Sequence, residues 1–563
     1  MDYQNIMKEL LNPTHKPGRS GKDLSYRKVF PLKAGQLLPI VCEPMVPNDY
    51  MEIDTASLIR TLPLNTAAFI RCRVHYDFFF VPYTAVWRNW DRFYYQRNDR
   101  ETDYMNNFAF EPNLTLEDIA RLTDYGGTTD IKNSKVQRAK LMELMGYGRI
   151  AYRAASDYAS GGAYQSIGQK SLTILPLLMY NRIYNFWYRN AWRDEPTAND
   201  SHTYSADSWD CGSYAASLLG VNYPYGYESE LCKVHYHGWF SDLFMGSLPN
   251  QQFGTVSTVL STSSYLSSSQ SSSATQVLGS TILSSKQTLK SIDFNSPSNV
   301  HDVSLFSEFD IYTLRKALAL QKWKEYNMRA GWKGHNQARA MFGVSTPEDR
   351  KHEIEFLKGY DFPVMIDEVI SQNGATGGNL GELAGKGIGV GNGEKFSFNC
   401  GERHGYLFCI AYVMPEVEYD ASGIEKFLVR SEPFDHYVPA FENLGMEPIY
   451  KYELEALGNP LTFDSVLGYA PRYHEYKTRV DKVYGNFVTG GNMSSWVSVR
   501  RDLAGIANSG SIPTDYFYVN PSVLDTVFAK SADATLDSDQ FFINFNLTNK
   551  AVRPMSDLGL PNL

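Results

Sequence analysis

The stretch FIRCRVHYDFFFVPY, Phe69 to Tyr83, constrains this chain more than any other. Ile70, Cys72, Val74, Tyr76, Phe78 and Phe80 fall on one face of a strand, because side chains alternate across an extended backbone. Arg71, Arg73, His75 and Asp77 fall on the other face, joined there by Phe79 and Val81. The first face is apolar throughout and belongs to a core. The second changes from polar to apolar along its length, so something must lie over its far end.

Two later segments have the same character. In HGYLFCIAYVMPE, Tyr406, Phe408, Ile410, Tyr412 and Met414 oppose Leu407, Cys409, Ala411 and Val413. Both sides are apolar, which predicts a central strand covered on both faces. DQFFINFNLTN alternates again, with Phe541, Ile543, Phe545 and Leu547 on one side. Pairing the early strands with the late ones predicts a β-sandwich with elaborate loops, such as a jelly roll. Core strands are expected mainly from residues 35–83 and 394–548 of a single domain over 35–563, with 84–393 as insertions rather than a separate domain. Helices are expected in VWRNWDRFYY, in LTLEDIARL with Thr115 as its N-cap, in SKVQRAKLMELM and in ILPLLMYNRIYNFWYRN. A longer helix is expected in SEFDIYTLRKALALQKWKEYNMRA, with Ile311, Leu314, Ala317, Leu318 and Trp323 near one stripe.

Composition narrows the function. The chain is 563 residues long with 14% aromatic residues, a content that suits pleated surfaces and large packed interfaces. Its net charge of −9 argues against a whole-chain affinity for nucleic acid. Residues 1–34 run the other way, with seven basic against three acidic side chains, and Pro13, Pro17, Gly18 and Gly21 oppose a stable helix there. This basic N-terminal arm is either a solvated tail or a phosphate-binding one, with Lys16, Arg19, Lys22, Arg27 and Lys28 as candidate nucleic-acid contacts. Six cysteines without a CxxC pair indicate reduced, core-type thiols. No signal peptide is visible, and no apolar run approaches the ~20 residues of a membrane span.

Motifs of chemistry are weak throughout. The glycine-rich stretch 374–393 has Lys386 after Gly385, but Leu380 and Gly387 stand where a phosphate-binding loop needs Gly and Ser or Thr. A flexible surface loop or hinge is the better expectation. In CKVHYHGW, His235 and His237 would point the same way on a strand, with Cys232 nearby, but no second ligand pair accompanies them. Glu416, Glu418 and Asp420 make a carboxylate row whose commoner meaning is a solvated face. HEIEF and HEYKT lack the second His of a zincin, and no catalytic residue or cofactor is expected. QKWKEYNMRAGWKGHNQAR mixes Trp323, Tyr326 and Trp332 with Lys322, Lys324, Arg329 and Lys333. It is first an amphipathic helix with its aromatics in a core, and second a surface for stacking single-stranded bases. From Leu243 to Ser285 there is no charged residue, and much of it is serine. Such a segment cannot build its own core and is expected as a surface loop.

Six blocks in order carry a family resemblance: HYDFFFVPYTAVWRNWDRFY, LRKALALQKWKE, MFGVSTPEDR, HGYLFCIAYVMPEVEY, FDHYVPAFENLGMEPI and VLGYAPRYHEYKTRVDKVYGNF. The chain resembles the major capsid proteins of the Microviridae, small single-stranded DNA bacteriophages, in their gokushovirus-like branch. The resemblance implies a mainly β, viral jelly-roll β-sandwich of eight antiparallel strands with long helical and loop insertions. It implies pentamers and a T = 1 icosahedral shell around circular single-stranded DNA, assembled in the bacterial host cytoplasm. The implied partners are other copies of the chain, the packaged DNA, an internal scaffolding protein, a minor pilot protein and a host surface receptor. No membrane insertion and no catalytic residues are implied. The serine-rich segment, with Ser264, Tyr265, Ser268 and Ser272, is the candidate host-surface loop. A carbohydrate-binding β-sandwich and a single-stranded DNA-binding protein are the alternatives.

Overall fold

The computed structural model describes residues 18–64, 68–87, 90–94, 111, 113–124, 132–149, 153–190, 192–193, 231–252, 254, 311–330, 354–370, 383–456, 465–500, 514–528 and 539–555. Two compact units result, one from residues 1–249 with 347–563 and one from residues 250–346. The inserted region therefore contains a unit of its own, where insertions into a single domain were expected.

In the larger unit eight strands carry the fold: β2 (Tyr26–Leu32), β3 (Leu38–Met45), β4 (Tyr50–Pro63), β5 (Cys72–Pro82), β8 (Glu355–Ile370), β9 (Leu383–Asn392), β11 (Gly405–Pro415) and β16 (Phe541–Arg553). Short strands β1 (Ser20–Asp23) and β10 (Phe396–Asn399) extend the sheet, and β6 (Asn113–Thr115) with β7 (Ser171–Thr173), β12 (Tyr419–Asp420) with β15 (Lys482–Val483), and β13 (Met446–Tyr450) with β14 (Val466–Pro471) form separate two-stranded pairs. One half has the order β2-β16-β4-β9 and the other β3-β11-β5-β8, with every pairing antiparallel. The halves join where β8 pairs with β9, from Met365 opposite Ile388 to Ile370 opposite Leu383. The sheet thus curls into a half-barrel with the jelly-roll order. Its inner side holds the core: Tyr76 stacks on Tyr360 and on Phe545 at 5.2 Å each, drawing β5, β8 and β16 together.

The alternation in β5 is as the sequence demands. Cys72, Val74, Tyr76, Phe78 and Phe80 are buried, and on the other face exposure falls from Arg71 and Arg73 to a buried Phe79 and Val81. Phe79 is covered by the rings of Trp187 and Phe356, 5.8 and 5.5 Å away. Trp187 belongs to a π-helical turn, Tyr184–Tyr188, that prolongs helix Leu175–Ile183. β11 is buried along its length except at Tyr406, and β16 alternates as expected.

Two expectations are corrected. The basic segment is not an arm from end to end: β1 and β2 both pair with β16, with Ser20 opposite Arg553 and Phe30 opposite Ile543. Phe30 and Leu32 are buried, and that burial fixes the segment to the sheet. The glycine-rich stretch is not a loop from Leu383 onward; it is β9, and β8 also lies in the region expected to be insertion. Its glycines alternate because their inward positions meet bulk. A Cβ at Gly387 would lie 2.6 Å from Thr61, and one at Gly391 would overlap the Phe362 ring.

The helices form where expected. Thr115 caps Leu116–Asp124, its Oγ1 accepting the Asp118 amide at 3.2 Å, and Ser134 caps Lys135–Leu144. In the second unit the helix Ile311–Ala330 is present, but Leu318 (62%) and Trp323 (48%) are exposed, so the expected stripe is not a core face. Tyr326 is exposed as well, with Lys322 over its ring at 5.7 Å. Trp332 and Lys333 lie outside the described residues. No helix among the described residues is long and apolar enough to cross a membrane.

Candidate assembly surfaces

The basic residues are divided by the pleat of the strands that hold them. Arg27 is exposed and donates from Nε to Oδ1 of Asn544 at 2.6 Å. Arg19 donates to the Asn48 carbonyl at 2.7 Å, and Lys22 is half-buried in β1. Lys28 turns the other way. Its ammonium lies 5.3 Å over the Tyr26 ring and donates to the Leu144 carbonyl at 3.3 Å, and burial lowers its pKa. Lys16 lies outside the described residues, as do Ser264, Tyr265, Ser268 and Ser272. The uncharged segment begins inside the body: Phe244 and Met245 are buried, and Leu248 bridges to Tyr469. A surface loop starting at Leu243 is thus corrected for these first residues, whose apolar side chains find partners.

The His235 and His237 pair is spent on packing rather than on metal. His235 stacks on Tyr184 at 3.7 Å, and its Nε2 meets Oδ1 of Asn181 at 2.7 Å. His237 stacks on Tyr412 at 4.7 Å, and His75 stacks on the same ring at 4.9 Å. Burial pushes both His237 and His75 down to about 4, so each is neutral near pH 7. Beneath them Asp77 accepts from the hydroxyls of Tyr188 (2.7 Å) and Tyr412 (2.9 Å). This layer closes the outer face of the β3-β11-β5-β8 half. The carboxylate row is also structural: Arg71 pairs with Glu416 (2.8 Å) and Asp481 (2.5 Å), and Asp420 accepts the Thr489 amide.

A charge cluster that the sequence reading missed holds a surface lobe. His474 donates from Nδ1 to Glu447 (2.8 Å) and from Nε2 to Glu453 (3.0 Å). Burial opposes its charge, but the two carboxylates outweigh that and raise its pKa. Lys426 reaches Glu447 at 2.7 Å, and Arg430 reaches Glu475 at 3.2 Å. Glu447, His474 and Glu475 are close enough to share a cation. The charge balance disfavours one, since three cationic groups already face three carboxylates. Tyr473 precedes His474 in the left-handed region, φ 60°, and its hydroxyl accepts the Val438 amide at 3.3 Å. Above this base the chain from Phe427 to Leu444 exposes Phe427, Leu428, Phe434, Tyr437 and Leu444. Exposed apolar groups this dense mark contact surfaces. Their sequence signal was aromatic residues among prolines without any period.

What the described residues can do chemically is bind through surfaces. Sequence comparison agrees in kind. The capsid protein (F protein) family matches residues 12–152 and 148–561. Capsid protein VP1 of Chlamydia phage 1 is 22% identical over 98% of this chain and 96% of its own length. Capsid protein VP1 of Bdellovibrio phage phiMH2K is 23% identical over 96% and 95%, and that of Spiroplasma virus 4 is 21% identical over 83% and 82%.

Proposed function

Because this chain belongs to the capsid protein (F protein) family, and is a structural protein rather than an enzyme, we propose that it is the shell subunit of a small single-stranded DNA bacteriophage. It assembles through pentamers into a T = 1 icosahedral shell in the bacterial host cytoplasm, helped by an internal scaffolding protein, and shares the virion with a minor pilot protein. The observation that carries this reading is the jelly-roll order of the eight strands within a family match that runs nearly the whole chain. The shell encloses circular DNA. Lys16, Arg19, Lys22 and Arg27 are the phosphate contacts, and Lys28 takes a lesser part because its ammonium is turned inward. The uncharged segment 243–285, through Ser264, Tyr265, Ser268 and Ser272, meets the host surface.

Electron microscopy of particles from cells that express the full chain with the other phage genes tests the reading. Closed, uniform icosahedral shells that protect DNA from nuclease are expected. Dispersed subunits under the same conditions would overturn it.

A further inference from the structure

The two outer faces of the sandwich are finished differently. The β3-β11-β5-β8 half is covered by Trp187, Tyr188 and His237. The β2-β16-β4-β9 half keeps an apolar band in the open. Register sets Pro31, Phe542, Arg60, Ile388 and Met365 in one row across five strands. Val29, Asn544, Leu58 and Val390 form the next. Val29 is 66% exposed, Met365 68% and Val390 70%. At roughly 4.8 Å per strand the band is about 19 Å wide, wide enough to be the centre of a standard interface. Arg27, Arg60 and Lys386 are exposed cations within it, against one acidic position, Asp367, which the register sets opposite Lys386, so the band is cationic on balance.

The lobe at Phe427–Leu444 has the opposite finish. Its own Arg430 and the adjoining Lys426 are turned down to Glu475 and Glu447, while at its edge Lys477 pairs with Glu442 and Arg479 lies over the Phe427 ring. Glu432 remains exposed, and Asp435 is held ionised by the amides of Glu432 and Ser431.

Resting on the capsid reading, we infer that the band of one copy receives the Phe427–Leu444 lobe of a second copy. Charge selects this pairing. Band against band would bring Arg27, Arg60 and Lys386 onto themselves, and lobe against lobe would do the same to Glu432 and Asp435. Only the mixed contact sets opposite charges around two apolar centres. A contact between unlike patches is head-to-tail, the kind that closes rings of subunits. Single-stranded DNA fits the band less well, because Phe542 is its one stacking ring among aliphatic chains.

The test mixes full-length chains carrying Val390→Cys with chains carrying Leu428→Cys, co-expressed with the other phage genes and then oxidised. A disulfide between the two variants is expected, with none when either variant is used alone. In a second arm, Arg60→Glu with Lys386→Glu should cut the assembled fraction at least tenfold, and adding Glu432→Lys to that chain should restore it. Either the mixed disulfide or the charge rescue supports the inference. Shells showing neither, or a disulfide joining two Val390→Cys chains, overturn the docking while the capsid reading stands. Wild-type chains that never associate overturn both.

Discussion

The ring of Phe362 fills the space in which a side chain at Gly391 would stand, so the ring of β8 packs directly over the backbone of β9. Gly389 meets the same ring at 3.4 Å from where its Cβ would be. Gly391→Ala should therefore lower the unfolding free energy of the soluble subunit by about 1–3 kcal/mol, the usual cost of overpacking. Phe362→Leu in the same chain should recover part of that loss. Urea denaturation of the single and double variants measures both.

The covered end of β5 gives a second prediction. Phe79 is 1% exposed and touches the inserted π-turn. Phe79→Ala should cost about 3–5 kcal/mol, as for other buried aromatic truncations. Phe542→Ala, on the open face of β16, should cost the isolated subunit under about 1 kcal/mol. Equal losses in thermal melts would mean that the two faces are not finished differently.

The histidines predict two pH dependences of opposite sign. His75 and His237 are pushed from 6.5 down to about 4 by burial, so the unfolded chain binds their protons first. Their contribution is complete above pH 6.5 and is lost as pH falls toward about 4. His237→Phe should move the acid-unfolding midpoint to lower pH, read by near-UV circular dichroism.

His474 works the other way. Its folded pKa is raised above 6.5, so its stabilisation is complete below that value and is lost as pH rises through the raised one. Glu447, buried but bonded to His474 and Lys426, is held down at about 2, so its contribution is present above 4.5 and is lost as pH falls from there toward about 2. His474→Gln should flatten the stability profile on the alkaline side of neutrality. A slope unchanged by the substitution would remove His474 as its source.

Truncation separates the tail from the sheet. Removing residues 1–17 should leave a soluble subunit, because β1 and β2 remain. Removing residues 1–34 should not, because Phe541, Ile543 and Phe545 would lose the partner strand that pairs with them. Soluble yield and proteolytic resistance of the two truncations decide this.

The strands legible in the sequence were those whose burial is written as a period of two or as an unbroken apolar run. β5, β11 and β16 are of that kind. β9 was hidden because its inward positions are glycines, which look like a loop unless Phe362 is known to lie opposite. β8 carries Lys358, Gly359, Asp361 and Pro363 within its span, which blurs any alternation. β2 was hidden by its charges, although Tyr26, Lys28 and Phe30 share its inner face. The lobe and its base could not be read at all: Lys426, Glu447, Glu453 and His474 come from separate segments and meet only when folded.

The bond from Arg27 to Asn544 joins positions 517 residues apart. β16 is inserted between β2 and β4, so during synthesis β2 waits without its partner, and β4 with one edge open, while the ribosome makes everything between. Contacts this distant in sequence slow folding. The same delay keeps a half-made chain from presenting a finished sheet to its neighbours.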